Sequence, residues 1–159
     1  MKRKIKRVLA AAGVVLVGFL FVRFVATPYV VVGDSMVPTL RSWDLCVMAR
    51  PHGYQPTRGE IIVFHTSDDP PLRFIKRVVG LPGETVAIRR GVVQVNGKPL
   101  AESYTEINPG WEMDPVHVPA DKVFVLGDNR TVNLEDTLHG LVATRLVEAR
   151  LIAHWRWKQ

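Results

Sequence analysis

One residue suited to covalent chemistry is a serine at a sharp turn. Ser35 lies in residues 33–40, which read GDSMVPTL and follow the apolar run at 29–32. Gly33 precedes it, and a glycine lets the backbone turn sharply and leaves room for a substrate to approach. Ser35 could therefore be a nucleophile, or it could be an ordinary turn residue with no chemical role.

A lysine provides a possible partner for this serine. Residues 72–79 read LRFIKRVV, and if they form a strand, Phe74, Lys76 and Val78 share one face. Burial among apolar neighbours lowers the pKa of a lysine, so that its neutral amine can act as a general base. The same pattern also fits a lysine that extends its ammonium into solvent at the edge of a sheet.

The sequence contains none of the residue spacings that are typical of metal, disulfide or nucleotide sites. The five histidines have no HxH or HxxxH spacing, and the single cysteine, Cys46, lies in the apolar run LCVM. One cysteine excludes an internal disulfide and a CxxC-type zinc site. Neither GxGxxG nor GxxxxGK[ST] occurs. We therefore expect no metal ion and no cofactor.

Strands are the elements that must position these side chains. After residue 27 the chain consists of short β-branched runs separated by Gly and Pro, which indicates a mostly β domain. The runs are residues 29–32, 46–48, 60–64, 74–79, 85–88, 92–95 and 122–126. Asn96-Gly97 predicts a two-residue hairpin turn. Residues 102–115 indicate an irregular excursion, and after the first apolar run only 144–149 suggests a helix.

An apolar segment directly follows the basic N-terminus. Residues 8–22 read VLAAAGVVLVGFLFV, and reading on through Arg23 to Ala26 gives a length close to the ~20 residues that span a bilayer. Arg23 can extend its guanidinium to the lipid headgroups. The alternative is a cleaved signal peptide, but cleavage after Ala26 would place bulky Phe24 where a small residue is expected.

The positive charge of the chain is concentrated at the same end. Residues 1–7 contribute five Lys or Arg to the net charge of +6, and the rest holds 16 basic against 15 acidic residues. Basic residues beside a membrane span stay in the cytoplasm. We predict a cytoplasmic tail at 1–7, a transmembrane anchor at 8–27 and an extracytoplasmic domain at 28–159. This charge distribution also argues against nucleic-acid binding.

Four motifs in the same order resemble those of the bacterial type I signal peptidases, a family of Ser/Lys membrane proteases. Residues 33–40 resemble its SMxPTL box, 58–64 (RGEIIVF) its RGDIVVF strand, 75–84 (IKRVVGLPGE) its IKRVIGLPGD box, and 127–130 its GDNR box. The resemblance implies a mostly β domain of antiparallel sheets on one N-terminal transmembrane helix. It also implies a single-pass protein of the bacterial cytoplasmic membrane, which we expect to be a monomer.

The resemblance assigns roles to individual residues. It implies that Ser35 is the nucleophile and an oxyanion donor through its backbone N–H, and that Lys76 is the general base. The substrates would be exported preproteins with Ala-x-Ala cleavage sites, bound in shallow apolar pockets where we place Met36 and Phe74. Gly33 stands where many relatives carry a serine whose hydroxyl is a second oxyanion donor.

The last motif departs from the family's usual GDNRxxSxDSR. Residues 127–137 read GDNRTVNLEDT, in which Asn133 replaces the serine that commonly binds the lysine. Glu135 and Thr137 remove the usual Asp–Arg ion pair, although Glu135 could pair with Arg130 instead. We predict that the residues supporting the active site are Gly33, Asp128, Arg130 and Asn133.

These observations favour an active, divergent signal peptidase over several alternatives. One alternative is a catalytically inert or weakened anchored homologue that binds signal peptides. Another is a peptidase dedicated to a few secreted substrates. A cytosolic self-cleaving repressor would need a DNA-binding module before the serine, where this chain has an apolar segment. The C-terminal WRWK at 155–158 could seat the domain on the membrane or could simply end a strand.

Overall fold

The computed structural model describes residues 4, 6, 7, 9, 11–14, 16, 18, 27–50, 53–106, 108–134 and 140–156. More than half of the predicted anchor at 8–27 lies outside these residues. The described positions between 4 and 18 have helical backbone. Among all described residues, no helix is both long and apolar enough to cross a membrane.

The remaining described residues form strands joined by turns and loops. In chain order the strands are β1 (Thr27–Val30), β2 (Leu45–Ala49), β3 (Ile61–His65), β4 (Arg73–Gly80), β5 (Thr85–Arg89), β6 (Val92–Val95), β7 (Lys98–Pro99), β8 (Met113–His117), β9 (Lys122–Leu126), β10 (Gly140–Ala143) and β11 (Val147–Trp155). A short 3-10 turn, Thr144–Leu146, joins β10 to β11.

The strands form two antiparallel sheets. The larger sheet has seven strands in the order β1-β2-β11-β3-β4-β9-β10, and the smaller has four in the order β7-β6-β5-β8. Every strand pair within them is antiparallel. The prediction of a mostly β domain built from antiparallel sheets is therefore confirmed.

Buried side chains from both sheets form three apolar clusters. The first lies under β1, β2, β3 and β11 and includes Met36 and Leu40 from the turn after β1. The second joins the smaller sheet to β9 around Trp111, and the third contains Phe64 and Val78 from β3 and β4. Because each fully buried aliphatic or aromatic side chain contributes roughly 1.5–3 kcal/mol, these clusters hold the sheets and the turn together.

Two local predictions have different outcomes. Asn96 and Gly97 both have positive φ, 51° and 75°, and they join β6 to β7 as the hairpin pattern predicts. The helical pattern at 144–149 is wrong beyond residue 146, since Val147 and Ala149 alternate into the core as part of β11. Burial of these two side chains in a sheet outweighs their local helical preference.

The excursion at 102–115 is irregular as far as it is described up to residue 112, but its last residues start β8. This strand contains Pro115, which has no N–H to donate. Because β8 lies at the edge of the smaller sheet, the proline is tolerated there.

Candidate active site

Ser35 lies on a turn between β1 and β2 that the core holds in place. The Leu40 N–H donates to the Met36 carbonyl at 2.8 Å, and both side chains are completely buried. Gly33 has a φ of +94°, which strongly favours glycine, and its N–H donates to the Ser42 hydroxyl at 3.1 Å. The turn therefore presents a half-buried Ser35 on a fixed backbone.

The segment after β9 is fixed directly to this turn. The Asn129 N–H donates to the Ser35 carbonyl at 3.1 Å, and the Asn129 side-chain amide donates to the Asp34 carbonyl at 3.0 Å. A Cβ atom on Gly127 would overlap the Ser35 carbonyl oxygen and would lie 3.4 Å from Lys76 Nζ. The structure thus brings Ser35 and Lys76, which are far apart in the sequence, next to the same position on Gly127.

Lys76 is a buried lysine in the middle of a sheet. It lies on β4 opposite Ile62 of β3, and only 2% of its surface is exposed. Burial lowers the pKa of the Lys76 ammonium to about 8, and the negative charge of Asp128 opposes this shift. The lysine therefore follows the predicted apolar face with Phe74 and Val78, and its ammonium does not extend into solvent.

Asp128 is fully engaged by other side chains. Its carboxylate, 1% exposed, accepts hydrogen bonds from Arg77 Nε and Nη2 at 2.9 and 2.6 Å and from the Thr39 hydroxyl at 2.5 Å. The Arg77 guanidinium also lies 3.8 Å from the centre of the Tyr104 ring. Arg77 follows Lys76 on the strand and therefore points to the opposite face. The Arg77–Asp128 ion pair thus ties the GDNR segment to β4 from the face opposite Lys76.

Arg130 is the second arginine around the site, and it is buried, whereas Arg77 is partly exposed. Its Nε donates to the Gly127 carbonyl at 2.9 Å, and its Nη2 donates to Glu102 at 2.7 Å. The Tyr104 hydroxyl donates to the same carboxylate at 2.7 Å. Within the described residues, the carboxylate partner of Arg130 is therefore Glu102, whereas Glu135 lies outside the described residues.

The excursion before β8 contributes residues to the site that the sequence motifs did not indicate. The segment 102–105 carries the ion-pair partner of Arg130, the ring beneath Arg77, and Thr105, whose hydroxyl donates to the Asp128 carbonyl. Its only signal in the sequence was an acidic and an aromatic residue in a stretch without regular structure.

Asn133 is exposed in the loop after Arg130, and Thr137 lies outside the described residues.

A groove of about 310 Å³ begins at the turn that carries Ser35. It is lined by Tyr29, Val30, Val31, Val32, Ser35, Val63, Arg73, Phe74 and Ile75. Of the two predicted pocket residues, Phe74 lines this groove. Met36 is completely buried in the first cluster and is not among the lining residues, because it anchors the turn from below.

Comparison with known proteins shows the family of this chain. The family model described as "Signal peptidase, peptidase S26" matches residues 1–157. Signal peptidase I of Leptolyngbya laminosa is 39% identical over 141 residues, which cover 83% of this chain and 70% of that protein. Signal peptidase I S of Bacillus subtilis is 36% identical over 140 residues, which cover 80% of this chain and 74% of that protein.

A solved structure is similar as well. The crystal structure of a signal peptidase I from Enterococcus faecalis matches with a TM-score of 0.51 and 30% identity, over 62% of this chain and 98% of that chain. Fold, motifs and relatives agree over most of the sequence, and this chain belongs to the signal peptidase family, peptidase S26.

Proposed function

We propose that this chain is a membrane-bound signal peptidase I, a serine endopeptidase that removes N-terminal signal peptides from exported preproteins with a Ser35/Lys76 dyad. The observation that carries the proposal is the arrangement around Gly127. The carbonyl oxygen of a half-buried serine on a fixed turn and the Nζ atom of a buried lysine with a pKa of about 8 both lie against the same position on Gly127. A nucleophile beside a base of this pKa is what acyl transfer near neutral pH requires.

The reaction would proceed in two steps. The neutral Lys76 amine accepts the Ser35 hydroxyl proton while Oγ attacks the scissile carbonyl, and the Ser35 backbone N–H donates to the oxyanion that forms. The Lys76 ammonium then protonates the leaving amine, and water hydrolyses the ester. Arg77 already holds both oxygens of Asp128, so that carboxylate stabilises the ammonium only weakly and leaves the lysine a usable base.

The groove supports a substrate with small apolar side chains. Its walls come from β1, β3 and β4, and the residues Val31, Val63 and Ile75 present apolar surface along it. A groove of about 310 Å³ holds short side chains such as those of an Ala-x-Ala site and excludes water from them. No second oxyanion donor comes from the side chain at 33, because that residue is glycine.

An anchored arrangement would place this groove at a bilayer. We propose that residues 8–27 span the membrane and that residues 1–7 stay in the cytoplasm. The domain at 28–159 would then lie on the extracytoplasmic side, as a monomer. Exposed apolar side chains beside the groove support contact with lipid, namely Val30, Val32, Trp43 and Trp155. A bound signal peptide would share the same membrane, so its cleavage site would emerge close to Ser35.

Single substitutions in the full chain test the dyad. We expect Ser35→Ala and Lys76→Ala each to lower cleavage of a preprotein with an Ala-x-Ala site by at least ~1,000-fold. Ser67→Ala and Lys98→Ala are matched controls at exposed positions and should retain the wild-type rate. Full activity in either dyad variant would refute the assignment. An inactive wild type that still binds signal peptides would favour the inert homologue.

A further inference from the structure

A second cavity lies outside the groove and takes no part in the proposed reaction. It has a volume of about 510 Å³ and opens between the end of β2, the segment before β3 and the start of β11. Its lining residues are Arg50, Gly53, Tyr54, Gln55, Thr144, Arg145 and Val147. None of them lines the groove at Ser35, so this cavity is a separate feature.

The cavity carries unbalanced positive charge. Arg50 and Arg145 are both exposed, and neither makes a hydrogen bond or ion pair within the described part of the chain. The nearby carboxylate of Glu60 is already occupied, because it accepts from Tyr54, from the Thr57 N–H and from Arg150. Two guanidinium groups at one cavity therefore lack a counterion from the described residues.

These side chains suit a phosphate group. A guanidinium donates two parallel hydrogen bonds to a pair of phosphate oxygens, and the amide of Gln55 offers a further donor. The Thr144 hydroxyl already donates to the Asp121 carbonyl at 3.1 Å, so the two arginines would supply most of the binding. A doubly charged oxyanion would balance both guanidinium charges, and a singly charged phosphodiester would balance one of them.

The position of the cavity in the fold points to the source of the phosphate. Thr27, the first residue of β1, lies opposite Met48 of β2, and Arg50 follows at the same end of that strand. The chain from the N-terminal segment thus enters the sheet beside Arg50. On the proposed function, in which residues 8–27 span the bilayer, this end of the sheet lies at the lipid headgroups.

We propose that the cavity bounded by Arg50 and Arg145 binds a phosphate oxyanion. The charge of the cavity carries this proposal by itself. The assignment of a lipid phosphodiester, as opposed to free phosphate, rests additionally on the proposed anchor.

The test compares two probes on the full chain in an uncharged maltoside detergent. Native mass spectrometry measures phosphatidylglycerol bound to the protein, and titration calorimetry measures inorganic phosphate. We expect the double variant Arg50→Gln with Arg145→Gln to bind at least one probe ~10-fold more weakly than the wild type. The double variant Arg90→Gln with Lys98→Gln removes the same charge from exposed positions on the smaller sheet and should bind within about twofold of the wild type.

Each outcome decides the proposal. Loss of phosphatidylglycerol alone supports a lipid headgroup site, and loss of both probes supports a site for phosphate in general. Loss of inorganic phosphate alone supports a site for free phosphate. Absence of binding by the wild type, unchanged binding of both probes by the Arg50/Arg145 variant, or an equal loss in the control variant overturns the proposal. Cleavage in the same detergent should be unchanged in the Arg50/Arg145 variant. A wild type without cleavage would refute the proposed function and leave the binding result intact.

Discussion

At the scale of a single residue, the burial of Lys76 in the sheet is what would allow this lysine to act as the proposed base. It lies on a central strand opposite Ile62, with the apolar Phe74 and Val78 on the same face. A fully solvated lysine would remain charged at neutral pH and could not accept a proton. Burial therefore destabilises the ammonium form of Lys76 and lowers its pKa, and this is the physical reason that the lysine can be the proposed base.

The first prediction concerns the dependence of cleavage on pH. Because the neutral amine is the active form and its pKa is about 8, we expect kcat/KM to rise about tenfold per pH unit well below pH 8. The rate should level off above that pH, since Lys76 is then already deprotonated. Cleavage of a peptide substrate between pH 6 and 10 measures this profile. A flat rate between pH 6 and 9 would contradict the role of Lys76.

At the scale of elements, the contact between the turn that carries Ser35 and the segment after β9 assembles the candidate site. Gly127 lies where the two segments touch, and Asn129 fixes the Ser35 carbonyl by a hydrogen bond. A side chain at 127 would force the turn away from the sheet, because the Ser35 carbonyl that it would overlap is backbone and cannot rotate aside.

Gly127→Ala should therefore damage activity more than stability. We expect kcat/KM to fall at least ~100-fold while the protein still unfolds cooperatively, as peptide cleavage and thermal melting would measure. Gly80→Ala is the matched control, because its Cβ would overlap core side chains of Val86 and Phe124. It should lower the melting temperature and leave the rate of the folded fraction within a few-fold. Equal activity in the two variants would refute this reading of Gly127.

The excursion before β8 holds the GDNR segment in place through the ion pair of Glu102. Glu102 pairs with the buried Arg130, which in turn binds the Gly127 carbonyl. We expect Glu102→Gln to lower the free energy of unfolding by about 3 kcal/mol, because it leaves a buried guanidinium without its counterion. Cleavage should fall as well, since Gly127 loses its support.

An exposed ion pair provides the control for this prediction. Glu112→Gln removes a partner of Arg89 at the surface, where the pair contributes at most about 1 kcal/mol. Chemical denaturation of both variants measures the difference in unfolding free energy. A Glu102 variant as stable as the Glu112 variant would contradict the stabilising role of the Glu102–Arg130 ion pair.

At the scale of the whole molecule, the seven-stranded sheet carries the proposed dyad and the groove, and β1 receives the chain from the N-terminal segment. The cavity at Arg50 and the exposed apolar residues beside the groove belong to the same sheet. On the proposed topology, the anchor would bring the end of the sheet at Thr27 and Met48, which is followed by Arg50, to the membrane.

Cysteine labelling in intact cells tests this orientation. The native Cys46 provides a silent background, because it is completely buried and burial raises the pKa of its thiol to about 11. We expect a membrane-impermeant maleimide to label Ser67→Cys on the exposed loop after β3 and not Lys2→Cys in the basic tail. Both positions should react after the cells are lysed. Labelling of position 2 alone in intact cells would refute the topology.

The sequence by itself determined the features that depend on local pattern. Alternating β-branched runs specified a mostly β fold, Asn96-Gly97 specified a hairpin, and the alternation around Lys76 placed it on an apolar face. These succeeded because strand periodicity and turn geometry are properties of neighbouring residues. The resemblance of four motifs to one family added the expected roles of Ser35 and Lys76.

Only the tertiary structure decided which distant residues meet. It buried Met36 beneath the turn, paired Arg130 with Glu102, stacked Arg77 on Tyr104 and left Arg50 and Arg145 together at one cavity. The physical reason is that the partner of a charged or aromatic side chain depends on the path of loops far away in the chain. Local spacing carries no information about that path, and burial in the folded core selects the partner.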